Sequence, residues 1–250
     1  MTRRGFLAIA AAGRRDETLA RMAERELAPH EFVLLRTSDG ATVARRWSAP
    51  AAPAPLGSLV KPFLALAYGE THEQQYPELT CEGCWLPRGH GRIPIGDALA
   101  YSCNSYFKQL VERMDREAVR RTALRYGLDA PADASADVLI GRYGVWRAAP
   151  ETIAAAYMEL TARRAEPGVP MVLGAMRRCA RLGTAAAVNA RVAAKTGTAP
   201  CVHNGAPGDG LLTALFPLEH FDYVLLVRAH AMPGAECARR ASPFLRQAAL

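Results

Sequence analysis

Ser58 and Lys61 stand three residues apart in PLGSLVKPF, residues 55–63, just after a Pro/Gly break and at the head of an apolar run. A serine hydroxyl becomes a useful nucleophile only when a base takes its proton, and lysine can be that base where burial or neighbouring cations lower its pKa. Three residues along a helix return to the same face, so the two side chains are placed to meet. The helix N-terminus adds free N–H groups and a positive dipole end, which favour an oxyanion. Taken alone the pair means little. Ser58 could equally cap a helix, and seven serines and three lysines give about 0.1 such pair by chance. The chain has a second, Ser105–Lys108, inside a helix-like run with no break before it, where a surface or core role is expected.

Residue type sharpens the reading. Only three of the 31 basic residues are lysine, at 61, 108 and 195. Arginine stays charged and cannot replace a lysine that must give up its proton. Two of the three fall in an ordered set: SLVK at 58–61, SCN at 102–104 and KTGT at 195–198. KTG alone suits any strand-to-turn transition, and SCN any helix start capped by serine. No GxSxG elbow is present.

In this order the motifs resemble those of the penicillin-binding proteins, the serine D,D-transpeptidases and carboxypeptidases whose relatives include the serine β-lactamases. The flanks agree: CEGCWLPRGHGRIPIGDALAYSCNSYF is similar to the segment leading into the family's second motif, and LGTA at 182–185 to the turn before its third. The resemblance spans about residues 31–250. It implies Ser58 as nucleophile, Lys61 as its base and Ser102 as proton relay to the leaving amine. Asn104 would bind the substrate amide, and Lys195, with Thr196 and Thr198, would face the substrate's terminal carboxylate. Gly197 would let the strand approach the substrate, and the N–H groups of Ser58 and Thr198 would form the oxyanion hole. It further implies D-Ala-D-Ala stem peptides of peptidoglycan as substrate, β-lactams as inhibitors, and no metal or organic cofactor. Whether an amine or water accepts the acyl group stays open. A β-lactamase is the nearest alternative, although Asn104 completes an SxN motif where class D enzymes tend to carry an apolar residue. A non-catalytic sensor of stem peptides or β-lactams is the other. The domain is short for this family, which points to a wall-remodelling protein partner.

The implied fold is α+β, of the β-lactamase/transpeptidase kind: an antiparallel sheet flanked by helices, with an inserted all-helical lobe. The chain's own patterning agrees. EFVLLRTSDGATVARRW, residues 31–47, reads as two strands around a tight turn, and ARVAAKTGTA, GLLTALFPL and FDYVLLVRAH as three more. The intervening Ala/Leu/Arg segments suit helices. One domain of two lobes is expected, with sheet at about 31–69 and 181–250, helices at about 70–180, and the ligand cleft between. Pro62 requires the first turn of a helix opened by Ser58 and ending near Gly69. The last segment, AECARRASPFLRQAAL, reads as a closing helix.

Residues 1–30 hold an Arg3-Arg4 pair, a short apolar stretch closed by Arg14-Arg15, and a short amphipathic helix over 15–27. The start resembles a twin-arginine export signal and predicts a periplasmic or envelope location; an ordinary N-terminal helix is the alternative. The net charge of +7 suits an anionic partner, but the arginine pairs are scattered without aromatics, which argues against nucleic acid. Cys81, Cys84, His90 and Cys103 are good zinc-ligand types. Their spacing is irregular, so packed thiols or a local disulfide are expected, with His90 as a turn residue and no metal. Trp85 and Trp146 are read as packing residues with a possible place along the cleft.

Overall fold

The computed structural model describes residues 3–48, 52–201 and 206–250, the stretch 3–12 by its backbone alone. In chain order the elements are α1 (Arg3–Glu26), β1 (Glu31–Arg36), β2 (Thr42–Arg46), β3 (Ala54–Pro55), a 3-10 turn (Gly57–Val60) and α2 (Lys61–Thr71). Next come β4 (Leu79–Cys81), β5 (Gly91–Ile93), α3 (Ile95–Ala100), α4 (Asn104–Val111), α5 (Arg116–Arg125), α6 (Ala136–Leu139) and β6 (Arg147–Ala148). The chain closes with α7 (Pro150–Ala162), α8 (Val169–Leu182), β7 (Ala193–Ala199), β8 (Asp209–Phe216), β9 (Tyr223–Ala229) and α9 (Gly234–Ala248).

The five predicted strands form one antiparallel sheet in the order β2-β1-β9-β8-β7. In β1, β8 and β9 the apolar residues run almost without interruption, because both faces are covered. Leu19, Ala23 and Leu27 of the α1 region and Phe244 and Leu245 of α9 pack on Phe32, Leu34, Leu225 and Val227. On the other face Ile153 and Tyr157 of α7 share a core with Val33, Leu35, Val224 and Leu226. Strand β7 is an edge strand, and the 3-10 turn that carries Ser58 packs against it.

Helix α2 is buried from Lys61 to Gly69. A helix apolar all round belongs in the middle of a protein, and Phe63 meets the Tyr126 and Tyr157 rings at 5.2 and 5.5 Å. Pro62 lies in its first turn, where a missing N–H costs nothing.

Three expectations need correction. Residues 70–180 are not all helix: β4 pairs with β5 as a small hairpin, and β6 pairs with β3. Strands of two or three residues carry no readable alternation. Helix α7, assigned by sequence to the helical lobe, packs on the sheet. The amphipathic stretch at 15–27 is the second half of a longer helix that begins at Arg3.

Candidate active site

Ser58 sits within the 3-10 turn and caps nothing: the residue preceding α2 is Val60, and no side chain caps that helix. The turn is held from two sides. Tyr157 of α7 donates its hydroxyl to the Leu59 carbonyl at 2.8 Å. On the β7 side, a Cβ on Gly197 would lie 3.3 Å from the Leu56 oxygen, the Leu59 side chain and the Ser58 nitrogen. A side chain at Gly197 would press on the Ser58 turn, which would have to give by a few tenths of an ångström. This differs from the role expected of the glycine, backbone approach to substrate, because its missing side chain would point at the turn.

Lys61 is fully buried. Its Nζ donates to the Asn104 Oδ1 at 2.6 Å and the Ser102 carbonyl at 2.8 Å, with the Ser102 Oγ at 3.4 Å. Burial first, and the nearby Lys195 second, push its pKa well below the ordinary lysine range. The Ser102 carbonyl and the Asn104 amide oxygen thus fix the position of the amine on the second motif.

Ser102 links the two lysines. Lys195 Nζ donates to its Oγ at 2.8 Å and to the Thr196 carbonyl at 2.6 Å. Burial lowers the Lys195 pKa to about 8. Sequence reasoning placed Lys195 opposite a carboxylate; the structure places it behind Ser102, fully buried. Nor does Ser102 cap α4. The cap is Cys103, whose sulfur accepts from the Tyr106 N–H, while Ser102 holds a left-handed φ of +53°. A non-glycine residue in that region is held there by its surroundings.

Ser58, Ser102, Asn104, Thr196, Gly197 and Thr198 all line one cavity of about 480 Å³ between the lobes. Thr184, from the LGTA turn, lines it too and shares a hydrogen bond with the Thr196 hydroxyl. Thr198 Oγ1 accepts from the Gly234 N–H at 3.0 Å, which ties β7 to the start of α9. Of the two tryptophans, Trp85 is a cavity wall, 53% exposed, with its indole donating to the Tyr101 carbonyl; Trp146 is packed in the core. A larger concavity of about 640 Å³ lies behind α8, lined by Arg177, Arg178, Arg181 and Arg191. None of the residues of the three motifs lines it.

Sequence reasoning missed Tyr157 and Thr184 as supports; only the turn containing Thr184 carried a signal. The second pair, Ser105 and Lys108, is outside the cleft network. Gln109 donates to Ser105, and Lys108 pairs with Asp137 at 3.0 Å near the surface. Of the two expectations for the cysteines, packed thiols or a local disulfide, the structure has the first: Cys81, Cys84 and Cys103 are free and converge with His90.

No family model and no curated protein sequence matches the chain. Solved structures do. Pseudomonas aeruginosa PBP2 in complex with WCK 5153 matches with a TM-score of 0.75 and 18% identity, over 92% of this chain and 76% of that one. The transpeptidase domain of the FtsI4 D,D-transpeptidase from Legionella pneumophila gives 0.67 and 16%, over 94% and 95%. PBP2 of Helicobacter pylori, in its complex with MreC, gives 0.76 and 15%; the chain covers 92% of itself and 62% of that protein. Identities of this size speak for the backbone, and in its backbone the chain has the fold of the penicillin-binding protein transpeptidase domains.

Proposed function

We propose that the protein is an acyl-serine enzyme of the penicillin-binding type, acting on D-Ala-D-Ala stem peptides of peptidoglycan and acylated by β-lactams. One observation carries this reading: Lys61, desolvated and held by Ser102 and Asn104, lies one turn beyond a serine that faces the cleft. In the proposed cycle Ser58 Oγ attacks the substrate carbonyl and its proton passes to Lys61 Nζ. The C–N bond then breaks, and Ser102, hydrogen-bonded to Lys195, delivers a proton to the leaving amine. The 3-10 turn packed on β7 would supply N–H donors of Ser58 and Thr198 to the oxyanion; removing one such donor typically costs ~10²–10³ in rate. An amine or water then takes the acyl group. Lys195 would act mainly on Ser102 and on the field of the cleft, and the threonine hydroxyls would meet the substrate carboxylate directly. The arginine pair at positions 3 and 4 supports work at the cell envelope, on the wall side of a membrane. Beside that wall we expect a protein partner.

Incubation of the purified protein with a fluorescent penicillin, read by intact mass, tests the reading. A stable adduct that is lost in Ser58→Ala and kept in Ser105→Ala supports it. Rapid drug hydrolysis would make the protein a β-lactamase, and neither adduct nor hydrolysis would leave a binding module.

A further inference from the structure

Cys81 ends β4, Cys84 lies in the β4–β5 turn, His90 immediately precedes β5, and Cys103 stands between Ser102 and Asn104. The ligand atoms of all four lie within 4.8 Å of one another. We propose that these four side chains bind one zinc ion, which pins the β4–β5 hairpin to the second catalytic motif.

The geometry fits the metal. Zinc takes sulfur at ~2.3 Å and imidazole nitrogen at ~2.0–2.1 Å, so two such ligands at a tetrahedral angle are about 3.6 Å apart. His90 Nδ1 is 3.6 Å from the Cys81 sulfur and 3.3 Å from the Cys84 sulfur. The other ring nitrogen is closed off: Nε2 is buried without a polar partner, and the ring packs at 5.4 Å from Trp85 and 5.7 Å from Tyr101. Nδ1 is thus the nitrogen that faces the sulfurs. Two sulfurs already receive backbone donors suited to thiolates, from Leu86 N–H to Cys84 and from Tyr106 N–H to Cys103, each at 3.4 Å. The loop is shaped to close on this point. Gly89 has a φ of +71°, and a Cβ there would fall 2.0 Å from the Cys81 oxygen.

Three sulfurs and one imidazole select zinc over the oxygen-seeking magnesium and calcium. Four protein ligands also leave no open position for a water, so the role is structural, not hydrolytic. Binding expels the three thiol protons and involves no redox step. The position of the site gives it a second effect. Cys103 is flanked by the two residues that hold Lys61, one of them in a left-handed conformation, and the same hairpin carries Trp85 into the cleft wall. Zinc therefore acts as a positioning group for Ser102 and Asn104. That consequence rests on the acyl-serine reading; the site itself does not.

The test is metal analysis of the full chain purified without chelator. One zinc per chain is expected, falling at least tenfold in Cys84→Ser and in His90→Ala and unchanged in Cys201→Ser. So that the test does not depend on the folding of a ligand variant, the folded wild type is also stripped with a chelator and titrated with cobalt(II). Sulfur-to-cobalt charge transfer and intense visible bands at one equivalent are expected. Less than a tenth of an equivalent of zinc with no cobalt spectrum, or a Cys81–Cys84 disulfide by mass, would overturn the site. Penicillin acylation should drop about tenfold on stripping and return with zinc. Full zinc with unchanged acylation would overturn the positioning role, whereas full zinc with no Ser58 adduct in any form would sink the acyl-serine reading and leave the metal site standing.

Discussion

The chain contains the Ser-x-x-Lys spacing twice, and the two copies differ in everything except spacing. Lys61 is buried, deprived of water, and held by a carbonyl and an amide oxygen. Lys108 is solvent-facing and paired with Asp137, which raises its pKa. Ser58 faces a cleft from a 3-10 turn, and Ser105 is part of a regular helix next to Gln109. The spacing brings the two groups to one face; only the surroundings decide whether the amine is a base or a surface cation. Environment therefore carries the chemistry, and paired substitutions at the two sites separate it from spacing.

The largest contrast is expected at the serines, where Ser58→Ala abolishes the penicillin adduct and Ser105→Ala leaves its amount unchanged in the intact mass. At the lysines, Lys61→Arg keeps a cation but removes the base, and should slow acylation by about 10²–10⁴-fold in stopped-flow measurements. Lys108→Arg should change the same rate less than twofold. The wild-type acylation rate should rise with pH as Lys61 loses its proton, along a limb well below the ordinary lysine pKa of 10.5. A limb at that ordinary value would erase the difference between the two lysines.

Smaller effects are expected from the supports. Tyr157→Phe removes the hydroxyl that satisfies the Leu59 carbonyl and should cost about 1–3 kcal/mol in denaturant unfolding. Lys195 adds a stability term whose sign is fixed by its lowered pKa. Below about 8 the group is charged in both states and the full cost of its burial is felt. Between there and 10.5 the unfolded chain binds the extra proton, so stability should rise with pH, and the rise should vanish in Lys195→Met. Smallest of all, Lys108→Gln should leave the melting temperature unmoved, since an exposed ion pair contributes little.

The sheet was legible because FVLLR, LLTALF and YVLLVRA are long apolar runs bounded by turns, and the motifs were legible because lysine is rare in this chain. What could not be read is depth. Whether Lys195 faces substrate or backs Ser102 depends on how far β7 lies behind α4, and no local spacing encodes that distance. The same holds for the cysteines. One cysteine ends a strand, one lies in the hairpin turn, one caps a helix, and the imidazole stands just before the next strand, so their separations along the chain obey no regular pattern while their atoms converge. Asp209, which stands before Gly210 in a sequence pattern that suits a turn, is the buried first residue of β8 and is bonded to His230. Turn chemistry and strand entry look alike when a glycine follows.

Two of the three lysines have no exposed surface, while the side chain of Lys108 is 46% exposed. To an amine-reactive reagent the folded domain thus offers a single lysine. Burial is the main cause of the lowered basicity of the other two, so once uncovered both return to the ordinary lysine range and react as Lys108 does. Their modification, mapped by mass spectrometry, becomes a clock for the parting of the two lobes, with Lys108 as the internal standard that runs at the rate of an open surface.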